Sequence, residues 1–336
     1  MNIQELTVDE WANALPDRGF EVFHLPEVLA VLADHSPGRL HLYGGFNGDN
    51  PIGLFPVFDQ SRTVGRGLLS PAPAMGIHRL GPLVMPSSPK QRKREKVNQS
   101  FVRAVLDQIG ARDSRTLFRT ICPLSFDDPR PFEWEGFDVK IGFTYSLETH
   151  DITLEELSNS LSRSLRREIR DGHDLDISVN TGKEDAIREV FDQTRERYGE
   201  QDKEYRLNWK YVQDLTTTLM ERDRCRCYVA RTPDGEFLSG ITVLYSNDAA
   251  YFWQGGARTI YDNVSINSLL HWHVIQDIVE NPPIDSVTRY DLMGGNTERL
   301  CRYKSKFGAT LVPYYIIESS GMQMQLAKRA YQMIAR

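Results

Sequence analysis

A chain of 336 residues, 40% hydrophobic and 26% charged, is long enough for one large or two ordinary domains and has the composition of a soluble globular protein. Its formal charge of -6 argues against a nucleic-acid surface spread over the whole molecule, while leaving room for local basic patches. No stretch approaches the apolar length of a membrane span, and the polar, acidic start from Met1 to Glu10 is not a secretory signal, so a cytoplasmic protein is expected. The four cysteines, Cys122, Cys225, Cys227 and Cys301, lack metal-site spacing, and reduced buried thiols are expected.

In chain order, Glu21 to Phe23 reads as a short strand before a helix from Pro26 to Asp34. Leu40 to Gly44 and Ile52 to Phe58 are apolar runs joined by Asn47-Gly48-Asp49-Asn50, which predicts a hairpin. A Pro- and Ala-rich loop, a brief strand from Leu80 to Val84 and a basic run from Pro89 to Glu95 follow. Val97, Phe101, Val105 and Ile109, at fourfold spacing, predict a helix. Strands at Thr116 to Ile121 and Val139 to Leu147 flank a turn-rich break that includes Gly136-Phe137. In the second half, Leu154, Leu157, Leu161, Leu165 and Ile169 predict one long helix over 153–171, ended by Gly172, with Arg163, Arg166, Arg167 and Arg170 as a separate stripe. A strand over 175–179 and helices over 184–198 and 208–222 come next. Cys225 to Arg231 and Phe237 to Tyr245 form a second hairpin, and a strand from Ala249 to Gln254 leads to a helix over 264–280 that can bury Leu269, Leu270, Trp272 and Ile275. Met322 to Ala335 reads as a terminal amphipathic helix.

The stretch from Ser286 to Glu318 predicts strand, short helix, strand. Val287 to Leu292 is apolar, Gly294-Gly295-Asn296 breaks it, and Thr310 to Ile317 is a second apolar run. Between them Arg299, Arg302, Lys304 and Lys306 alternate with Tyr303 and Phe307, and Gly308 provides a helix stop. Cations held at a strand end beside a glycine turn can meet an anionic or developing oxyanionic group. The same residues also suit a solvated basic helix face closing a sheet. The two halves of the chain follow one plan, with Gly53 answering Gly240 and Gly136-Phe137 answering Phe307-Gly308, which predicts a duplicated α/β unit. Where the second half has Arg302 to Lys306, the first has Phe132-Glu133-Trp134-Glu135, so any chemistry is expected in the second.

This order resembles the tandem acetyltransferase-like (GNAT-type) domains of the Fem family of aminoacyl transferases and the wider FemAB-like acyltransferases. Tyr290-Asp291-Leu292-Met293-Gly294-Gly295 followed by Tyr303-Lys304-Ser305-Lys306-Phe307-Gly308 is similar to that family's closing signature, and Ser164-Leu165-Arg166-Arg167-Glu168-Ile169-Arg170 to its entry into the second domain. The resemblance implies two tandem GNAT-like domains, each a mixed, mostly antiparallel sheet flanked by helices. The first, over 1–148, would be degenerate and acceptor-binding, and the second, over 149–336, catalytic. The implied activity is transfer of an acyl or aminoacyl group to an amine or hydroxyl of a sugar, peptide or cell-envelope precursor. Lys304 would stabilise the oxyanion or pair with the donor's phosphate, and Asp291 would orient or deprotonate the acceptor, or else brace the glycine turn. Arg206, beside Tyr205, would meet a phosphate on the acceptor or be a surface arginine before a helix.

Arg163, Arg166 or Arg167, and Arg170 would converge on a phosphorylated or nucleotide-bearing ligand, with Glu168 and Asp171 near enough to pair with them instead. Trp253 and Gln254 end a strand where a GNAT-like sheet opens for its ligand, or pack as core, and Arg302 and Tyr303 flank Lys304 as further substrate contacts. No metal and no tightly bound cofactor is implied; acyl-CoA or aminoacyl-tRNA would be the donor. The chain departs from the pattern where Gly256 is followed by Ala257-Arg258-Thr259-Ile260 rather than a glycine-rich run, which argues against acetyl-CoA held in the usual mode. Leu32-Ala33-Asp34 stands where the family tends to carry a lysine, which argues against a peptidoglycan precursor. Two other readings stay open: a non-catalytic ligand-binding module, and an aminoacyl-tRNA-dependent peptidyltransferase whose basic path would include Lys90, Arg92, Lys93, Arg94 and Lys96.

Overall fold

The computed structural model describes residues 1–61, 65–256 and 259–320. The terminal helix expected over 322–335 lies outside the described residues. The first half runs β1 (Asn2–Glu5), α1 (Val8–Ala14), α2 (Pro26–His35), β2 (Arg39–Asn47), β3 (Asn50–Ser61), β4 (Arg66–Ser70), β5 (Leu83–Val84), α3 (Gln91–Ile109), β6 (Thr116–Ile121), α4 (Arg130–Trp134) and β7 (Phe137–Glu148). The second half runs α5 (Leu154–Ser160), α6 (Arg163–His173), β8 (Ser178–Gly182), α7 (Glu184–Gly199), α8 (Trp209–Met220), β9 (Cys225–Arg231), β10 (Phe237–Tyr245) and β11 (Ala249–Gly255). It continues through the small β12 (Ile260–Tyr261) and β13 (Val264–Ser265) to α9 (Ile266–Glu280), β14 (Arg289–Asp291), α10 (Glu298–Lys304) and β15 (Thr310–Ser319). Among the described residues no helix is long and apolar enough to cross a membrane.

The chain divides into two compact units, Met1–Gly142 with Pro313–Arg336, and Phe143–Val312. In the first, the sheet order is β1-β2-β3-β4-β6-β15, with β5 on β3. Every neighbouring pair on that path is antiparallel except β4 with β6, and α3 lies on the connection between those two parallel strands. In the second, the order is β8-β9-β10-β11-β14-β7. Again all pairs are antiparallel except one, β11 with β14, and α9 lies on its connection. Strand for strand the two units share one topology, the helical crossover standing where parallel strands require it. Gly53 and Gly240 both sit on the third strand of their order, as the expected duplication has it.

The repeat has one complication. The sixth strand of each sheet comes from the other half of the sequence: β15 pairs with β6 through Ile316 to Glu318, and β7 pairs with β14 through Ser146 to Glu148.

Each unit has its own core. In the first, Phe101, Val102, Val105, Leu106 and Ile109 of α3 pack against Phe55, Phe118, Phe132, Phe137 and Ile317. In the second, Leu157, Leu161, Leu165 and Ile169 meet Leu270, Val274 and Ile278 of α9 and Ile241, Val243 and Tyr290 of the sheet. The long helix expected over 153–171 is two helices. Ser162 leaves helical geometry, its hydroxyl accepts from the Leu165 N–H at 3.3 Å, and its own N–H donates to Lys306 O at 2.8 Å. Gly172 does not end α6, which runs to His173; it gives room for Leu269 of α9, 3.3 Å from where a Cβ would stand. Glu21 to Phe23 is not a strand, since Val22–His24 forms a 3-10 turn held by the His24 Nδ1 contact to the Glu21 N–H.

Candidate functional site

The site grows from the end of β14. Tyr290 and Asp291 are both fully buried there, although strand alternation would send them to opposite faces, because both faces of this central strand are covered. Asp291 Oδ1 accepts from Thr144 Oγ1 at 2.5 Å and from the Met293 N–H at 2.8 Å. The second of these bonds holds Met293 at φ 53°, left-handed geometry that disfavours a side-chain-bearing residue by roughly 1–2 kcal/mol. Gly294 follows at φ 61°. Two consecutive left-handed residues turn the Met293 and Gly294 carbonyls onto the Lys304 Nζ, which donates to both, to Gly294 O at 3.1 Å.

Lys304 is only 5% exposed. Burial pushes its ammonium down to about 8, while the Asp291 carboxylate and then Cys301 oppose the shift. The nitrogen also lies 5.8 Å from the centre of the Phe252 ring. An ammonium has three N–H donors, and two of them are taken by backbone carbonyls. Among the described residues no acceptor takes the third. After Lys304 the chain makes a 3-10 turn, Ser305–Phe307, and leaves at Gly308 with φ 69°. A Cβ on Gly308 would stand 2.6 Å from Ser160 Oγ and 2.9 Å from Ser160 O, so both the dihedral and the space require glycine.

Sequence reading missed the residue beside this lysine. His271 of α9 lies within four aromatic rings, with centroids at 4.8 Å from Phe252, 5.2 Å from Phe307, 5.9 Å from Tyr290 and 6.1 Å from Tyr303. Its Nδ1 is 2.9 Å from the Tyr290 hydroxyl. Burial, and secondly the Lys304 charge, push its imidazole down to about 3, so the ring is neutral at physiological pH. The available signal was a ring nitrogen between Leu270 and Trp272 on a helix otherwise read as apolar.

Residues 159–305 match the family model described as the acetyltransferase (GNAT) domain. This stretch, less than half of the chain, is similar to a GNAT domain. No curated protein matches the chain significantly. Among solved structures, FemX is similar over 94% of this chain and 97% of its own, with TM-score 0.68 and 13% identity. The C-terminal domain of a putative lysylphosphatidylglycerol synthetase from Agrobacterium fabrum is similar over 97% and 96%, with TM-score 0.57 and 11% identity. A tandem GNAT protein from the clavulanic acid biosynthesis pathway is similar over 94% and 97%, with TM-score 0.52 and 11% identity. At these identities the likeness is one of fold: GNAT-like domains in tandem.

Within the stretch that matches the GNAT model the expected site residues fall into three places. Lys304, Asp291 and Tyr303 meet around the Met293–Gly294 turn and the His271 rings, as described above. Trp253 and Gln254 are buried at the end of β11, where the pairing with β10 is irregular between Thr242 and Val243. Neither amide atom of Gln254 has a hydrogen-bond partner in good geometry among the described residues, and the Tyr205 hydroxyl faces it. Tyr205 itself packs on Phe191 and Tyr198, with centroids at 5.4 and 5.1 Å.

The remaining cations are on the surface. Arg206 is exposed with Glu204 at 3.5 Å, and Arg302 pairs with Glu298 one helical turn earlier. Arg166 and Arg167 are exposed on α6, Arg166 reaching Asn159 at 3.5 Å, and Arg170 pairs with Asp171 at 3.0 Å. Glu168 does not pair with the stripe. It takes Lys306 at 3.2 Å and Ser268 Oγ at 2.7 Å, tying α6 to the turn after α10 and to α9. Among the described residues no group of three or more His, Cys, Asp or Glu side chains could hold a metal ion.

Proposed function

We propose that the chain is an acyltransferase that moves an acyl or aminoacyl group onto an amine or hydroxyl of a sugar, peptide or cell-envelope precursor. Residues 149–336 do the chemistry in this reading, and residues 1–148 bind the acceptor. The observation that carries it is the Lys304 ammonium, buried in the stretch that matches the GNAT model with two of its donors fixed on the Met293 and Gly294 carbonyls. When the acceptor nitrogen or oxygen attacks the donor carbonyl, negative charge gathers on the carbonyl oxygen. A fixed N–H dipole in a water-poor site stabilises that charge without reorganising, and a single such donor is worth about 100- to 1000-fold in rate. The carbonyl re-forms as the C–S bond to CoA or the C–O bond to the tRNA ribose breaks, and the acceptor's proton passes to the departing sulfur or oxygen, which leaves as a thiol or hydroxyl. Asp291 contributes by keeping Lys304 charged and by bracing the turn that aims it.

The donor is acyl-CoA or aminoacyl-tRNA in this proposal, and neither is a tightly held cofactor. Native mass spectrometry of the purified protein against pools of acyl-CoA, aminoacyl-tRNA and nucleotide sugars identifies which is retained, and the turnover of that donor is then compared with Lys304→Met. A donor consumed equally well by Lys304→Met removes the catalytic role. A protein that retains ligand but turns over none is a binding module.

A further inference from the structure

The helix that carries Lys304 is too short to hold itself. Isolated helices below about 12–15 residues are marginal in water, and α10 has seven, so contacts from elsewhere decide where it and the turn after it stand. On one side these are the bonds from Lys304 Nζ to the Met293 and Gly294 carbonyls, and from Cys301 Sγ to Gly295 O at 3.3 Å. On another side the contact is Glu168 of α6.

Arg299, Arg302, Lys304 and Lys306 crowd residues 299–306 with no acid among them. Glu298 takes Arg302, and Glu168 Oε1 takes the Lys306 ammonium at 3.2 Å. The other oxygen of the same carboxylate accepts from Ser268 Oγ at 2.7 Å, on a residue fully buried in α9. The positions three and four away from Glu168 along α6 are Ser164, Leu165, Asp171 and Gly172, so the arginines of that helix are out of register with it. Burial, and after it the Glu168 charge, push the phenol of Tyr303 well above its usual range, so the side chain before Lys304 stays neutral. One carboxylate thus joins α6, α9 and the turn after α10, and it sorts two lysines that stand two positions apart. Lys306 is held on Glu168, while Lys304 faces the glycine turn.

We infer that Glu168 is a positioning residue of the transfer site: through its hold on Lys306 it fixes the turn that aims Lys304. It touches no reacting atom in this role. The inference rests on the acyltransferase reading, and Lys304→Met distinguishes the failure of one from the failure of the other. A displacement of about 1 Å at a reacting group costs up to about 100-fold in rate, so loosening the tie while leaving the lysine in place is read as a loss of about tenfold.

The test compares full-length variants in turnover, with acetyl-CoA or charged total tRNA as donor and glucosamine as acceptor, and in amide hydrogen exchange, which needs no substrate. Glu168→Gln and Lys306→Gln each lower kcat about tenfold, leave KM within about twofold and melt close to the parent. The double variant is no worse than either single, because one tie is broken in all three. Glu168→Lys combined with Lys306→Glu keeps the pair with its ends exchanged and recovers kcat to within about threefold of the parent. Amides of residues 303–307 exchange about tenfold faster in Glu168→Gln, while those of β9 and β10 keep the parent's rates. A carboxylate that served only to satisfy Ser268 would lower the melting temperature and not kcat, and its loss would add to that of Lys306→Gln. Should Glu168→Gln fail to fold, Lys306→Gln breaks the same tie from the other end and decides alone. The inference is overturned if both single variants match the parent in kcat while Lys304→Met does not, if the losses add in the double variant, or if exchange over 303–307 is unchanged. An indifferent Lys304→Met overturns the acyltransferase reading and this inference together.

Discussion

Lys304 makes the acid–base behaviour of the site testable. Its folded value of about 8 lies below the usual 10.5, so between those two pH values the unfolded chain holds a proton that the folded chain has lost. Stability contributed by this group therefore rises with pH through that window, and the folded state carries the desolvation penalty below about 8. Catalysis runs the other way. In the proposed mechanism the charged form meets the oxyanion, so the rate is expected to fall as pH rises through about 8. Lys304→Met removes both effects: turnover drops by about 100- to 1000-fold, and urea titrations at pH 7 and pH 10 lose the rising limb. Asp291→Asn takes away the first group opposing the shift, which moves the falling limb of the pH–rate profile to lower pH while kcat at its plateau drops less than in Lys304→Met. An unchanged limb in Asp291→Asn means that the carboxylate acts only through the Met293 bond. The place of the lysine against the glycine turn was legible in the residues, since a cation was expected beside the Gly294 break. Its two carbonyl partners were not, because left-handed geometry at Met293 cannot be read from a methionine.

Helices and hairpins in this chain are read from period and turn residues, and those signals held where one face of an element is buried. They failed where tertiary bonds overrule local pattern. Leu157, Leu161 and Leu165 keep a helical period across the break at Ser162 because both α5 and α6 pack on one core, so the apolar pattern is continuous while the backbone is not. The cause of the break is the Lys306 carbonyl, 144 positions further on, taking the Ser162 N–H. At the same junction, Gly308 closes the turn after α10. Gly308→Ala places a methyl group against the Ser160 backbone in a dihedral that alanine resists, a cost of about 1–3 kcal/mol. The expected result is a lower melting temperature together with a loss of turnover, since α5 and the turn bearing Lys304 shift as one. A variant that melts like the parent disproves the packing argument.

At the scale of the molecule, the duplication was visible as an order of elements, whereas the exchange of sixth strands was not, because nothing in an apolar strand says which sheet it joins. Cutting the chain between residues 148 and 149 strands the wrong pieces together. A fragment of 1–148 lacks Ile316 to Glu318 beside β6 and exposes the place of the buried Ile317, and a fragment of 149–336 lacks Thr144, the partner of Asp291. Neither fragment is expected to unfold cooperatively in urea, and mixing them restores a cooperative transition. A sharp transition from 1–148 alone counts against the exchange.

The crossed strands also set a timetable for synthesis. On the ribosome, residues 143–291 supply all six strands of the second sheet, yet the first sheet, begun at residue 2, waits for residues 316–318. The lobe translated earlier is completed later. Until then β6 has an open edge, the feature most apt to recruit a foreign chain, so slow translation beyond residue 291 lengthens the interval in which that edge stands exposed.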